Sequence, residues 1–287
     1  MPATMAQANY LSIDVEDYYQ VSAFESMVGY NRWEDYTPRV EANTAKVLDL
    51  LQTHGVSATF FVLGWTARKF PGLVQRIQAL GHEIACHSMH HRLIYTMTPA
   101  EFRADTRTAK DILEQITGAP VRGYRAPSYS ITRDSLWAFD ILAELGFTYD
   151  SSIFPIRHDR YGIPDAPRFP YRLGGRDLIE FPLSTSKFCG LNVPVAGGGY
   201  FRLFPYAFTK MALQGINQRE GQSFIFYLHP WELDPEQPRI TGASQLSRFR
   251  HYLNLSRTAP RFVRLLKDFY FQPLGHAQLN LDFQRPS

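Results

Sequence analysis

Two imidazoles four residues apart, His87 and His91, close the run Gly81-His82-Glu83-Ile84-Ala85-Cys86-His87-Ser88-Met89-His90-His91. That separation can bring both rings onto one side of a turn or helix start, near enough to grip one metal ion. Two histidines do not complete a site, and a histidine-rich surface loop has the same spacing, so a further donor is needed. Asp14, Glu16 and Asp17 follow the apolar run Tyr10-Leu11-Ser12-Ile13. In an extended chain Asp14 and Glu16 face one way and Asp17 the other. Charge at the end of a buried strand is costly. The three carboxylates are therefore candidates for a base and a metal-ligating group, with a solvated acidic turn or a helix cap as the structural alternative.

The elements that must position these groups alternate between strand and helix. Buried strands are predicted at 10–13, 58–63, 83–86, around 123–125, at 147–149, at 179–183 and at 224–228, from short apolar runs bounded by turn residues. Helices are predicted over 40–54, 71–80, from Thr98 to Gly118, over 132–145 and over 204–220. Thr98-Pro99-Ala100-Glu101 reads as a capped helix start. Residues 155–176, rich in Pro, Arg and Asp, read as an ordered surface excursion, and Gly197-Gly198-Gly199 as a tight turn. Two further helical segments, near 244–256 and 260–270, form a tail.

Asp14, His87, Arg125, Asp150 and His229 each fall at or just past the C-terminal end of a predicted strand. In parallel βα architectures those ends converge on one mouth, where the active site is built. A carboxylate and two neutral imidazoles would leave a coordination position open, and a bound divalent ion lowers the pKa of water there toward ~7. A second carboxylate can take the water's proton and a histidine opposite can protonate the leaving group, which is metal-assisted hydrolysis of an amide or ester. Asp150 is a candidate for orienting His229, or simply a cap before Ser151-Ser152.

Composition excludes some functions. The 287 residues are 45% hydrophobic with a formal net charge of +3 and no Lys/Arg run, so nothing supports a nucleic-acid or membrane-surface role. Aromatic content of 14% is high, which suits sugar binding and core packing alike. Cys86 and Cys189 fit no disulfide framework and read as free thiols. The first residues lack the basic start and apolar core of a signal peptide, and no run approaches a membrane span, so a soluble, cytoplasmic chain is expected.

In this order, Ser12-Ile13-Asp14, His87-Ser88-Met89-His90-His91, Arg125-Ala126-Pro127-Ser128-Tyr129 and Leu228-His229 resemble the motifs of the polysaccharide deacetylases with a NodB-type catalytic domain, over about residues 10 to 232. Asp14-Val15-Glu16-Asp17-Tyr18-Tyr19 and His229-Pro230-Trp231-Glu232-Leu233-Asp234-Pro235 resemble more narrowly the deacetylases of exosortase-associated exopolysaccharide loci. The resemblance implies an α/β fold: a distorted (β/α) barrel of about seven parallel strands in residues 1–234, with a helical C-terminal extension, 235–287, packed on it. It implies a Zn²⁺ or other divalent ion and hydrolysis of N-acetyl groups of amino sugars in a polysaccharide or its precursor. Asp14 becomes the general base, His87 and His91 metal ligands, Arg125 the residue that orients Asp14, and His229 the general acid, with backbone N–H groups near Arg125 to Tyr129 as oxyanion donors. The family's paired Asp is broken here by Val15, so the carboxylate ligand is Glu16 or Asp17, and strand alternation favours Glu16. Ser128 stands where an aromatic commonly follows Pro127. Tyr129 and Trp231 are candidates for stacking on a sugar ring, and His90 is expected outside the ligand set. Two other activities fit the same fold: hydrolysis of a small cyclic amide or ureide, and catalytically silent carbohydrate binding.

Overall fold

The computed structural model describes residues 7–279. Its strands are β1 (Ala8–Val15), β2 (Thr59–Val62), β3 (Glu83–Cys86), β4 (Gly123–Tyr124), β5 (Tyr149–Asp150), β6 (Tyr171–Arg172), β7 (Ile179–Glu180), β8 (Thr185–Phe188), β9 (Leu191–Pro194), β10 (Ile225–Leu228) and β11 (Tyr270–Gln272). Its helices are α1 (Val40–Thr53), α2 (Gly64–Lys69), α3 (Pro71–Ala79), α4 (Pro99–Thr117), α5 (Ala138–Glu144), α6 (Gly198–Leu203), α7 (Tyr206–Gln218), α8 (Gln245–Tyr252) and α9 (Leu255–Asp268). The main sheet runs β10-β1-β2-β3-β4-β5-β7-β6, and every neighbouring pair is parallel except β6 with β7. Seven parallel strands thus curl into a barrel that the ladder does not close, because no hydrogen-bonded pairing returns from β6 to β10 among the described residues.

Strand burial explains the apolar runs. Leu11, Ile13 and Val15 of β1, Phe60, Phe61 and Val62 of β2, and Phe226 and Leu228 of β10 are all without solvent exposure. Parallel strands covered by helices on one face and filled by side chains on the other read as continuous hydrophobic segments rather than alternating ones. The covering helices carry the expected stripes: Val40, Val47, Leu48 and Leu51 on α1, and Phe102, Ala109 and Leu113 on α4. Thr98 and Glu101 form a reciprocal capping box at the start of α4, and Gly118 closes it in the left-handed conformation.

Four local expectations change. The helix expected over 132–145 begins as a 3-10 turn at Arg133–Ser135 and becomes α-helical only over α5. Between residues 183 and 197 the chain folds a β8–β9 hairpin that the residues did not announce, since Cys189-Gly190 takes the place of the usual Asn-Gly pair at a turn with positive φ in both residues (47° and 80°). The Gly197–Gly199 run opens α6 as well as turning: a Cβ at Gly197 would lie 2.1 Å from the Tyr227 carbonyl oxygen and one at Gly198 2.2 Å from the Tyr227 hydroxyl, so only glycine lets this segment pass β10. Finally, the C-terminal segment is more than helices laid on a barrel. β11 pairs in parallel with Ala8–Tyr10 at the start of β1, ahead of Ser12 where β2 begins to pair, and the following Leu274 N–H donates to Thr59 Oγ1 at 2.8 Å. The early residues of β1 need ladder partners, and the tail supplies them.

Candidate active site

The carboxyl ends of β1, β3, β4 and β10 meet at one cavity of about 410 Å³. Asp14 and Glu16 both point into it. Arg125, fully buried just after β4, fixes Asp14 by donating from Nη1 to Asp14 Oδ1 at 2.6 Å. Its other donors are satisfied by Ser12 Oγ (2.7 Å), Ser151 Oγ (2.8 Å) and the Ser151 carbonyl (3.0 Å). A guanidinium held at four points and stacked 4.1 Å from the Phe61 ring centroid cannot swing. Asp14 Oδ2 is left facing the cavity, with the Tyr129 hydroxyl donating from 3.5 Å and His229 Nε2 at 3.9 Å.

His87 follows β3 directly, and the loop to His91 is held open by its backbone. Ser88 and His91 adopt positive φ (63° and 54°), a conformation that costs non-glycine residues energy and is found where function over-determines it. Gly64 N–H and Trp65 N–H bond the Ser88 and Met89 carbonyls, and the Met89 N–H donates to Asp105. The Nδ1–H of His87 donates to the Arg125 carbonyl at 2.8 Å, which leaves Nε2 as the free lone pair. Burial first, and then the neighbouring His91, hold His87 down to about 3, so it stays neutral. Glu16, His87 and His91 offer ligand atoms that all lie within 4.8 Å of one another, and all three residues are buried. His91 Nε2 lies 2.9 Å from Glu16 Oε2, yet Glu16 Oε2 takes part in no hydrogen bond and His91 Nδ1 has no partner. Two ligand atoms aimed at a common point, rather than at each other, produce this geometry. The neutral imidazole, the anionic carboxylate and the orphaned oxygen fit a divalent cation. Burial raises the Glu16 carboxyl, but His91, His229 and His87 outweigh it and keep it below the ordinary carboxylate range. His90 leaves this cluster, lying 5.0 Å from the Tyr30 ring and 3.6 Å from Asp105 Oδ1.

His229, just past β10, faces Glu16 Oε1 from 3.1 Å through Nε2. Its Nδ1 lies 3.2 Å from Glu232 Oε2, which also accepts the His229 backbone N–H at 3.0 Å. Burial opposes the imidazolium, yet Glu16, Glu232 and Asp14 together hold His229 up to about 9. Glu232 is in turn fixed by Arg202 of α6, whose Nε donates to Glu232 Oε1 at 2.7 Å and whose Nη1 donates to the carbonyls of His251 (2.7 Å) and Leu253 (3.0 Å). Burial would raise the Glu232 carboxyl, but Arg202 and His229 bring it down to about 2. Neither Glu232 nor Arg202 stood out in the sequence. The signal for Glu232 is its position three residues after His229, the spacing of a reciprocal cap, whereas Arg202 lies outside every motif.

Two expected site residues are placed elsewhere. Asp17 turns away from Glu16 just past the end of β1, and its Oδ2 accepts the Arg39 N–H and, at 2.9 Å, the Val40 N–H at the start of α1, while Oδ1 accepts the Tyr18 N–H. It is a helix-capping group, pushed up to about 6 by burial against those donors. Asp150 does not reach His229 either. Its oxygens accept from Ser152 Oγ at 2.7 Å and the Ser152 N–H at 2.9 Å, and the buried Glu180 lies opposite it across the β5–β7 pairing. Through Ser152, whose Oγ accepts the Ala126 N–H at 2.8 Å, it supports the segment that carries Arg125. The amides of Arg125, Ala126 and Tyr129 are all bonded internally, so that segment does not offer them as oxyanion donors. Tyr129 and Trp231 line the cavity, but Trp231 is packed between His229 (5.2 Å) and His251 (4.2 Å), with only its edge presented.

Comparison with known proteins assigns the two halves of the chain differently. Residues 30–149 match the family model described as "Polysaccharide deacetylase", and residues 151–278 match a "Domain of unknown function (DUF3473)". The first match contains His87, His91 and Arg125 but neither Asp14 and Glu16 nor His229. A peptidoglycan-N-acetylglucosamine deacetylase of Bacillus cereus is 38% identical over 96 residues, 33% of this chain and 35% of that protein. A chitooligosaccharide deacetylase of Bradyrhizobium sp. is 41% identical over 101 residues, 35% of this chain and 43% of that protein. The chain thus spans less than half the length of these curated relatives. A crystal structure from Mycobacterium smegmatis, assigned there as a polysaccharide deacetylase, shares the fold at a TM-score of 0.58 and 20% identity, covering 100% of this chain and 96% of that one.

Proposed function

We propose that this cavity hydrolyses the N-acetyl amide of an amino sugar in a polysaccharide or its precursor, a reading supported by the match of residues 30–149 to the polysaccharide deacetylase model and by the similarity to named deacetylases. The observation that carries the reading is the opposition of an anchored carboxylate and an imidazole, Asp14 Oδ2 and His229 Nε2 at 3.9 Å, beside the Glu16–His87–His91 cluster. Asp14 Oδ2, with Oδ1 already committed to Arg125, accepts the proton of the attacking water. Tyr129 and Arg125 hold that carboxylate in place. His229, with Nδ1 turned to Glu232, presents Nε2–H to the departing nitrogen and delivers the proton that an amine leaving group requires. Glu16, His87 and His91 would hold a divalent ion, Zn²⁺ or another, which would supply Lewis acidity at the acyl group. Burial of Arg202 and Glu232 keeps the His229 orientation fixed as charge moves.

The motifs around Asp14 and His229, with the DUF3473 match over the second half, support the narrower reading of an exopolysaccharide-locus enzyme. No helix among the described residues is long and apolar enough to cross a membrane. The test is acetate release from N-acetylated oligosaccharides by protein loaded with Zn²⁺. Asp14→Asn and His229→Ala are each expected to lose about 10²-fold or more with the fold and bound metal retained. Full activity in either variant would remove the assigned roles, and turnover of a cyclic ureide in place of oligosaccharides would move the assignment to the small-amide alternative.

A further inference from the structure

The catalytic cavity does not end at its own rim. Phe249 and Leu253 line it on one side, and the same two residues line a second, shallow depression on their other side together with Arg239, Arg248 and Tyr252. The two depressions are therefore neighbours, divided by the ridge that Phe249 and Leu253 form. Phe249 is 56% exposed at the crest of that ridge, as is Leu246 one turn earlier. Every charged group lining the second depression is a cation, and Arg250 adds another on the cavity side. None of Arg239, Arg248 or Arg250 has a carboxylate partner among the described residues. Arg239 instead lies over the Tyr252 ring at 4.3 Å. The carboxylates of the cavity are not available to these rim arginines, because Asp14 is bound by Arg125 and Glu232 by Arg202, and Glu16 faces His91 and His229.

We infer that the Arg239–Arg248 depression is an anionic subsite, which binds a carboxylate or phosphate group carried by the glycan beside the acetylated sugar in the catalytic cavity. The inference rests on the deacetylase reading for the occupant of the cavity and extends it from an amino-sugar polymer to an acidic one. Guanidinium groups without partners recognise planar oxyanions by paired N–H donation, and a neutral glycan leaves them unmatched. Phe249 and Tyr252 supply apolar faces for the sugar rings that link the two positions.

The experiment compares three probes by calorimetry in EDTA, with acetate release followed separately on metal-loaded protein. The probes are an alternating N-acetylglucosamine–glucuronate tetrasaccharide, the neutral N-acetylglucosamine tetramer, and an N-acetylglucosamine trimer carrying a phosphate ester. Wild type is expected to bind an anionic probe about tenfold more tightly than the neutral one. Arg239→Gln/Arg248→Gln, at exposed positions, is expected to erase that ratio, as is raising the salt concentration. Which of the two anionic probes binds identifies carboxylate or phosphate as the recognised group. Equal binding of neutral and anionic probes, no binding of either anionic probe, or an unchanged ratio in the double variant overturns the subsite. Acetate release without charge preference would leave the deacetylase reading intact and remove the subsite, whereas anionic binding without acetate release would do the reverse.

Discussion

At the scale of single residues, Arg125 ties Asp14 to the barrel. Its four donated bonds and its ring contact use the planar fork of a guanidinium, which a lysine cannot reproduce. Arg125→Lys is expected to lower kcat by about 10²-fold while the protein still takes up one divalent ion per chain in elemental analysis, since none of Glu16, His87 and His91 bonds the Arg125 side chain. Unfolding in urea should show a loss of about 3 kcal/mol, the scale for disrupting a buried ion pair. His82 gives a separate, pH-dependent prediction. It is buried against Phe60, and its Nδ1 accepts the Ala58 N–H at 3.3 Å, which requires the neutral ring. Burial depresses it from 6.5 to about 4. Between those values the unfolded chain binds more protons than the folded one, so the stabilisation is complete above about pH 6.5 and is lost as the pH falls toward 4. The loss amounts to about 3 kcal/mol at most. Denaturation at pH 7 and pH 4.5 should therefore show a smaller drop for His82→Gln than for wild type, and equal drops would contradict the assignment.

Among the elements, the loop from β3 to His91 is shaped by its neighbour α2. A Cβ at Gly64 would lie 2.5 Å from Met89 Sδ and 2.9 Å from the Ala109 backbone. Helix α2 packs so closely on α4 and on the 87–91 loop that only glycine fits. Gly64→Ala should cost about 1–3 kcal/mol in thermal or urea unfolding, and it should weaken divalent-metal uptake because Met89 lies between His87 and His91 in the loop. Stability loss with undiminished metal affinity would separate the loop from the packing. The hairpin of β8 and β9 and the short β11 belong to this scale as well. Their sequences carry no alternation strong enough to be seen alone, and β11 forms because the start of β1 offers it unpaired backbone groups.

For the molecule as a whole, the two matched halves build one site. Arg202 reaches Glu232 from α6, and its remaining donors are held by carbonyls of His251 and Leu253, so the orientation of His229 depends on the C-terminal segment. A chain ended after Asp234 is expected to lack a cooperative unfolding transition by circular dichroism and to release no acetate; a stable, active fragment would show that α8, α9 and β11 are dispensable. The strand-and-helix order, the Thr98 cap and the grouping of Asp14, His87, Arg125 and His229 at strand ends were legible in the residues, because apolar periodicity and capping chemistry are local properties of the chain. The partners of Asp150 and His229 were not. Which carboxylate meets which cation depends on how far apart segments dock, and burial then sets their charge states, as for Glu180 beside Asp150 and Glu232 between Arg202 and His229. Local sequence thus determined the elements and the polar groups gathered at the strand ends, while only the tertiary structure decided their pairing, because hydrogen-bond partners and desolvation are properties of the packed chain.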